Sequence, residues 1–387
     1  MKFQVSKYQN LITTLLLNGN FMQNAGLNHG KTGLAILFYH LSRATGNHAF
    51  EYFAGELIDN ISSNLTSQMP VDFENGLTGI GWGIEYLVQH QFLEADTDEI
   101  LEEIDKQIFL EFLKNKPIKI DLMDGILGTG NYFIMRVKGT DQNRLNIITE
   151  TNKHALIQIY NLINLFLSDT SILIQEPRRY NIKGQNKSIN ADNDLDPFFD
   201  ITWNLPRLID FLAELYSQHI LKPHTDGLLS RLLTPLNSDY NLPILQCNRI
   251  ILLLSLIKLN NSFQITYGKN IEFRVSSAMI EIQLLTNEII NKLIFRLDDK
   301  KYKNELSCLN LSVRNGLSGI AFLHKKLYEE TNDLKYYNEY KTLLIRIQST
   351  DFIHQFRYDY LNPNKTNEQK LGLLEGISGL LLATFSI

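Results

Sequence analysis

The chain has 387 residues, of which 44% are hydrophobic and 20% charged, with a formal net charge of −5. That is ample for a large buried core, while the scattered Lys and Arg leave no basic footprint for nucleic acid. No apolar run reaches the eighteen or so residues of a membrane span, and the start MKFQVSKYQNLITTLLL lacks a secretory cleavage pattern. Cys247 and Cys308 lie far apart without CxxC spacing, so the expectation is a reduced, cytoplasmic protein.

In chain order, Leu11, Ile12, Leu15, Leu16 and Leu17 mark an apolar-faced helix that leads into the first of five similar phrases. That phrase is His29-Gly30-Lys31-Thr32-Gly33 before LAILFYHL. The second is Asn75-Gly76-Leu77-Thr78-Gly79 before IGWGIEYL, and the third Asp124-Gly125-Ile126-Leu127-Gly128 before the run containing NYFIMRV. Two more come late, Asn315-Gly316-Leu317-Ser318-Gly319 and Glu375-Gly376-Ile377-Ser378-Gly379. Where they are neighbours the copies lie about 45 to 60 residues apart, a period that signals repeated helix pairs. Paired glycines at a helix entry are expected to turn the backbone with positive φ or to let it approach another backbone closely. Helix entries gathered at one face would present N–H groups and dipole ends to an anionic or nucleophilic ligand.

Between the phrases, Phe50, Phe53, Leu57, Ile58, Ile61 and Leu65 keep helical spacing, as do Ile100, Leu101, Ile104, Ile108, Phe109, Phe112 and Leu113. Further outer helices are expected over 144–167, 277–295 and 333–349. The stretch 176–196, EPRRYNIKGQNKSINADNDLD, has no helical period and reads as a long surface loop or binding flap, an insertion near 170–198. Residues 262–276 alternate well enough to predict a small hairpin turning at Gly-Lys-Asn. Two runs lack the glycines: Trp203-Asn204-Leu205-Pro206-Arg207 before LIDFLAELY, and Cys247-Asn248-Arg249 before IILLLSLIKL. Five intact and two eroded phrases predict a single all-α domain over 1–387, an (α/α) toroid of seven hairpins.

Seven such phrases ending in LLEGISGLLLA resemble the lanthionine cyclase (LanC-like) family over nearly the whole chain. The resemblance implies an (α/α) toroid acting on ribosomally made peptides whose Ser and Thr have been dehydrated. It also implies a zinc ion that activates a peptide cysteine for addition to the dehydroamino acid, closing a thioether ring. Zinc suits the task because a thiol with pKa near 8.5 is mostly protonated at neutral pH.

By the same resemblance, Cys247 corresponds to one zinc ligand, whereas Arg314 and Asn315 stand where a Cys-His pair is expected. Cys308 lies eight residues before Gly316, out of place for a ligand. Trp203, with Asn204 beside it, takes the position of a catalytic histidine, Pro243 that of an arginine and Asn248 that of an aromatic residue. Asp121 matches the catalytic aspartate, although a lone Asp before a helix entry is more often a helix cap. His29 borders the first phrase as in the family, with capping or packing set against ligation. His40, His90, His219, His224 and His324 form no HExxH-like pair. Zinc would therefore have to be assembled from distant residues.

Three functions follow. The first is a zinc-less partner in lanthipeptide maturation that holds the precursor peptide or its dehydratase. The second is a metal-independent cyclase in which Arg314 lowers the thiol pKa, with Asp121 and Cys247 completing the set. The third is an unrelated toroid acting on carbohydrate with carboxylates from Asp121, Asp124 and Glu375.

Overall fold

The computed structural model describes residues 5–66, 68–112, 119–139, 147–167, 170–180, 195–221, 227–268, 277–350, 353 and 370–385. These are almost entirely helical. The helices are α1 (Val5–Gly19), α2 (Lys31–Thr45), α3 (His48–Asn64), α4 (Leu77–Gln89), α5 (Thr97–Ile100), α6 (Glu102–Phe112), α7 (Ile126–Gly139), α8 (Ile147–Phe166) and α9 (Ser171–Ile174). They continue with α10 (Asn204–Ser217), α11 (Gly227–Leu236), α12 (Gln246–Gly268), α13 (Ser277–Phe295), α14 (Asp299–Cys308), α15 (Leu317–Thr331), α16 (Leu334–Gln348) and α17 (Ile377–Phe385). No described helix is long and apolar enough to cross a membrane.

The chain divides into two compact units. The first comprises Met1–Leu162, Leu311–Val313 and Asn338–Ile387; the second comprises Ile163–Asn310 and Arg314–Tyr337. In the first, α2 packs on α3 and α17, and α4 on α7. The helix α2 is buried from Lys31 to Tyr39 without a break, whereas α3 buries only Phe50, Ala54, Leu57 and Ile61 and turns Glu51, Glu56 and Asp59 to water. Apolar spacing thus separates a helix buried all round from a half-wet neighbour. In the second unit α10 and α15 pack on α12, a helix whose Ile251, Leu252, Leu253, Leu256 and Leu259 are fully buried.

The glycine phrases work through space rather than through φ. Gly30, Gly76 and Gly316 are N-caps at φ −130°, −104° and −136°, extended backbone that any residue adopts. The expected positive φ is found elsewhere, at Gly46 after α2 (φ 70°). What excludes a side chain is the loop before each helix, which folds back onto the first turn. A methyl on Gly33 or Gly79 would strike the carbonyl oxygen of Leu27 or Phe73, six residues upstream. The same fold-back lets the first helical N–H reach seven residues back: Lys31 to Asn24 (2.9 Å), Leu77 to Pro70 (2.8 Å), Ile126 to Lys119 (2.9 Å) and Leu317 to Asn310 (2.8 Å). Hydroxyls inside the phrase copy that bond, Thr32 to Ala25 O, Thr78 to Val71 O and Ser378 to Leu371 O. Those N–H groups are engaged by the protein itself, contrary to their expected role in holding a ligand.

Neighbouring loops are joined through one position, two residues before the first glycine. In the first unit Asn28 N donates to Glu74 O (2.8 Å), Glu74 N to Met123 O (3.0 Å), Leu373 N to Asn28 O (2.8 Å) and Val313 N to Leu374 O (2.9 Å). In the second unit Ile201 N donates to Arg314 O (2.8 Å).

Two expectations are corrected. Residues 262–268 continue α12 rather than opening a hairpin, because Leu256, Leu259 and Phe263 keep helical spacing and are fully buried; 269–276 lie outside the described residues. The polar stretch is bounded by a two-stranded antiparallel ladder, β1 (Arg178–Tyr180) with β2 (Leu195–Pro197), in the register Arg178↔Pro197. Residues 181–194 between them lie outside the described set.

Two measurements check this packing. Gly79→Ala is expected to cost about 1–3 kcal/mol through the Phe73 carbonyl, whereas Gly227→Ala, with nothing within 4 Å of the added methyl, should leave the denaturation midpoint nearly unchanged. His324, buried on α15 with Nε2 2.8 Å from the Tyr302 hydroxyl, has its pKa lowered by burial from 6.5 to about 4. The unfolded chain therefore binds this proton first, so stability present above pH 6.5 falls away as the pH drops toward 4. The loss should approach roughly 3 kcal/mol, and His324→Phe should flatten that part of the stability profile.

Candidate functional site

The loops carry two polar clusters, one in each unit. In the first unit, the residues just before the glycines of three phrases converge: Asn28 and His29, Glu74, and Glu375. Asn28 Oδ1 accepts from Leu374 N at 2.8 Å, which fixes the orientation of its amide. Its Nδ2 then faces three acceptors, His29 Nε2 at 3.1 Å, Glu74 Oε1 at 3.2 Å and Glu375 Oε2 at 3.1 Å. Two amide hydrogens do not satisfy three acceptors; a proton on His29 Nε2 directed at Glu74 Oε1, 3.2 Å away, makes up the difference. Glu375 Oε2 lies 3.9 Å from the same nitrogen. His29 is 8% exposed, whereas the two carboxylates are partly open to solvent. The arrangement suits the holding and passing of a proton.

Asp121, also in this unit, is built into the loop before α7. Its Oδ1 accepts from Met123 N (2.8 Å) and Asp124 N (3.2 Å), and its carbonyl from Leu127 N (3.2 Å). It shapes a turn rather than capping the helix, which begins five residues later. Lys119 beside it donates to both oxygens of Asp124; that bond first, with Asp121, Asp124 and Glu74 adding to it, holds its ammonium above the usual lysine range.

The second cluster surrounds the start of α12. Glu176 accepts from Ile244 N (2.9 Å), Leu245 N (3.0 Å) and Asn248 Nδ2 (2.8 Å). Glu305, on α14, accepts from Gln246 N (2.9 Å) and Cys247 N (3.0 Å). Two carboxylates thus close the positive end of this helix, the charge arrangement that its dipole favours. Cys247 is 1% exposed; burial pushes its thiol far above the usual range, and the neighbouring charge and hydrogen bond of Glu305 push the same way. The thiol is therefore protonated and inert at neutral pH.

The other predicted residues of this unit take structural parts. Trp203 is buried before α10 and donates from Nε1 to Leu173 O (3.1 Å). Asn204 opens that helix. Asn248 is fully buried, its Nδ2 also reaching Phe198 O at 3.0 Å. Arg314 Nε pairs with Asp200 Oδ2 at 3.3 Å, and Asn315 Oδ1 accepts from Asn310 Nδ2 at 3.1 Å.

A family model described as Lanthionine synthetase C-like protein matches residues 22–187. Over that stretch the chain is similar to lanthionine synthetase C-like proteins. The match spans the first three phrases, with His29 and Asp121, and ends before Trp203. No curated protein matches the chain. Set against the zinc that the lanthionine synthetase C-like resemblance implies, the donors at the corresponding positions do not fit. They are a single buried thiol, a guanidinium already paired with a carboxylate, and an amide, and one thiol does not make a zinc site.

Sequence reasoning left out Asn28, Glu74, Asp200, Glu176 and Glu305. Asn28 and Glu74 were open to discovery, since both stand two residues before a phrase glycine, Asn28 next to the noted His29 and Glu74 aligned with Asn28. Glu176 and Glu305 carry no local signal. Thiol labelling checks the second cluster: Cys308, exposed, should react rapidly with iodoacetamide at pH 8, and Cys308→Ser should show no rapid labelling until the chain is unfolded. Two fast thiols in the native protein would contradict the buried, Glu305-bound Cys247.

Proposed function

We propose that this lanthionine synthetase C-like chain serves the maturation of a ribosomally made, dehydrated peptide as a peptide-binding or scaffold partner, without zinc-dependent thiol activation. The observation that carries the proposal is the donor set at the positions the resemblance assigns to the metal: Cys247 is a buried thiol whose backbone N–H is held by Glu305, while Arg314, paired with Asp200, and Asn315, bonded to Asn310, supply no usual zinc ligand beside it. The precursor peptide is the expected ligand, a dehydratase the expected protein partner and the cytoplasm the expected compartment.

A metal-independent cyclase is the second reading, and one observation favours it: the His29–Glu74 contact beside Glu375 is equipped to deliver a proton to an enolate. Arg314 does not serve that reading as a free cation, since its guanidinium is engaged by Asp200. The carbohydrate reading is set aside, because Asp121 is tied into its turn, Asp124 is held by Lys119, and the family match points elsewhere.

The test is incubation with a dehydrated precursor peptide that retains its cysteines, followed by alkylation and mass spectrometry. The proposal expects the peptide to be retained with its thiols alkylated, and retention unchanged in Cys247→Ala. Ring closure abolished by Cys247→Ala would overturn it. Ring closure that survives Cys247→Ala and falls at least about a hundredfold, the usual weight of one acid or base, in both His29→Gln and Glu74→Gln would establish the second reading instead.

A further inference from the structure

We propose that the second unit carries a recognition cleft for an acidic, apolar peptide segment. The cleft has a volume of about 320 Å³ and lies between the end of α9, the start of β1 and the connection from α11 to α12, with Ile174, Arg178, Pro235, Tyr240, Pro243 and Ile244 in its walls. That volume sits at the lower end of ligand pockets, roughly 300–1,000 Å³. It suits one or two side chains of a peptide better than a large cofactor.

The apolar part is presented to solvent on braced backbone. Tyr240 is 98% exposed and Ile244 59% exposed. Tyr240 stands on the short 3-10 turn Asp239–Asn241. Asn241 Nδ2 ties that turn to Pro235 O (2.9 Å), Asn241 N to Ser238 O (3.0 Å), and Arg296 pairs with Asp239. A tyrosine on a braced turn has only its two side-chain torsions to fix on binding, which is how tyrosine serves recognition surfaces.

The charge on the cleft selects the ligand. Glu176, its acidic lining residue, has both oxygens engaged by Ile244 N, Leu245 N and Asn248 Nδ2. Arg178 is exposed and makes no hydrogen bond or ion pair among the described residues. The charge open to a ligand is thus a guanidinium, whose planar fork matches a carboxylate. A carboxylate flanked by an aromatic or aliphatic side chain satisfies Arg178, Tyr240 and Ile244 together, whereas a lysine-rich segment would set its cations against Arg178 and finds the oxygens of Glu176 already engaged. This deepens the peptide-binding reading and rests on it for the natural ligand; the cleft itself is testable without it.

The probes are the acetylated, amidated peptides Leu-Asp-Phe-Glu-Leu and Leu-Asn-Phe-Gln-Leu, titrated into the full chain by calorimetry. The acidic peptide is expected to bind at least about tenfold more tightly than its amide counterpart, the scale of a charge-assisted contact. Arg178→Gln should remove that difference, and Tyr240→Ala should weaken both peptides, with helical circular dichroism unchanged in each variant. Equal affinity for the two peptides, no binding of either, or indifference to both substitutions would overturn the proposal. Retention of the whole precursor separates the two levels: persistence in Arg178→Gln counts against this cleft alone, whereas failure of the wild-type chain to retain it counts against the proposed function and leaves the synthetic-peptide result standing.

Discussion

Every intact repeat rests on one contact, the carbonyl oxygen of an upstream loop pressed against a helix's opening turn. At Gly33 and Gly79 that carbonyl occupies the space a side chain would need. The loop that supplies it also accepts the first helical N–H, seven residues on. Close approach and backbone satisfaction are thus one device, and glycine is required for room rather than for an unusual φ. Because each loop also meets its neighbour two residues before the glycine, the residues around that position are brought together whatever their chemistry. Asn28, His29, Glu74 and Glu375 meet for this reason.

The same logic explains what distinguishes the start of α12, where no glycine phrase stands. No fold-back loop satisfies this helix end, and carboxylates from two distant segments do so instead, Glu176 and Glu305. Carboxylates at a helix N-terminus gain from its dipole, and they also raise the energy of a nearby thiolate. One arrangement therefore stabilises the fold and keeps Cys247 protonated. Arg314 is treated likewise, its charge answered by Asp200 within the same unit. Cys247 and Arg314 are thus both knitted into the framework.

Much of this was legible in the sequence, and the limits have physical causes. Apolar spacing marked α13 at 277–295, the bounds observed, and placed α8 and α16 within three residues of each end. It failed at 262–268, where alternation around Gly268 outweighed the continuing helical register of Leu256, Leu259 and Phe263. At the site, phrase positions disclosed His29, Asp121 and Cys247, but not their surroundings. Glu305 reaches Cys247 across 58 residues of sequence, Glu176 reaches Asn248 across 72, and Glu375 reaches Asn28 across 347. Such distances are closed by tertiary packing, and a local motif holds no trace of them.

The most direct test of this account is the zinc content of the purified 387-residue chain, produced with added zinc, dialysed, and measured by elemental analysis beside Cys247→Ala. With Glu176 and Glu305 closing the helix end, zinc should stay far below one ion per chain in both proteins. One zinc per wild-type chain, lost in Cys247→Ala, would contradict it.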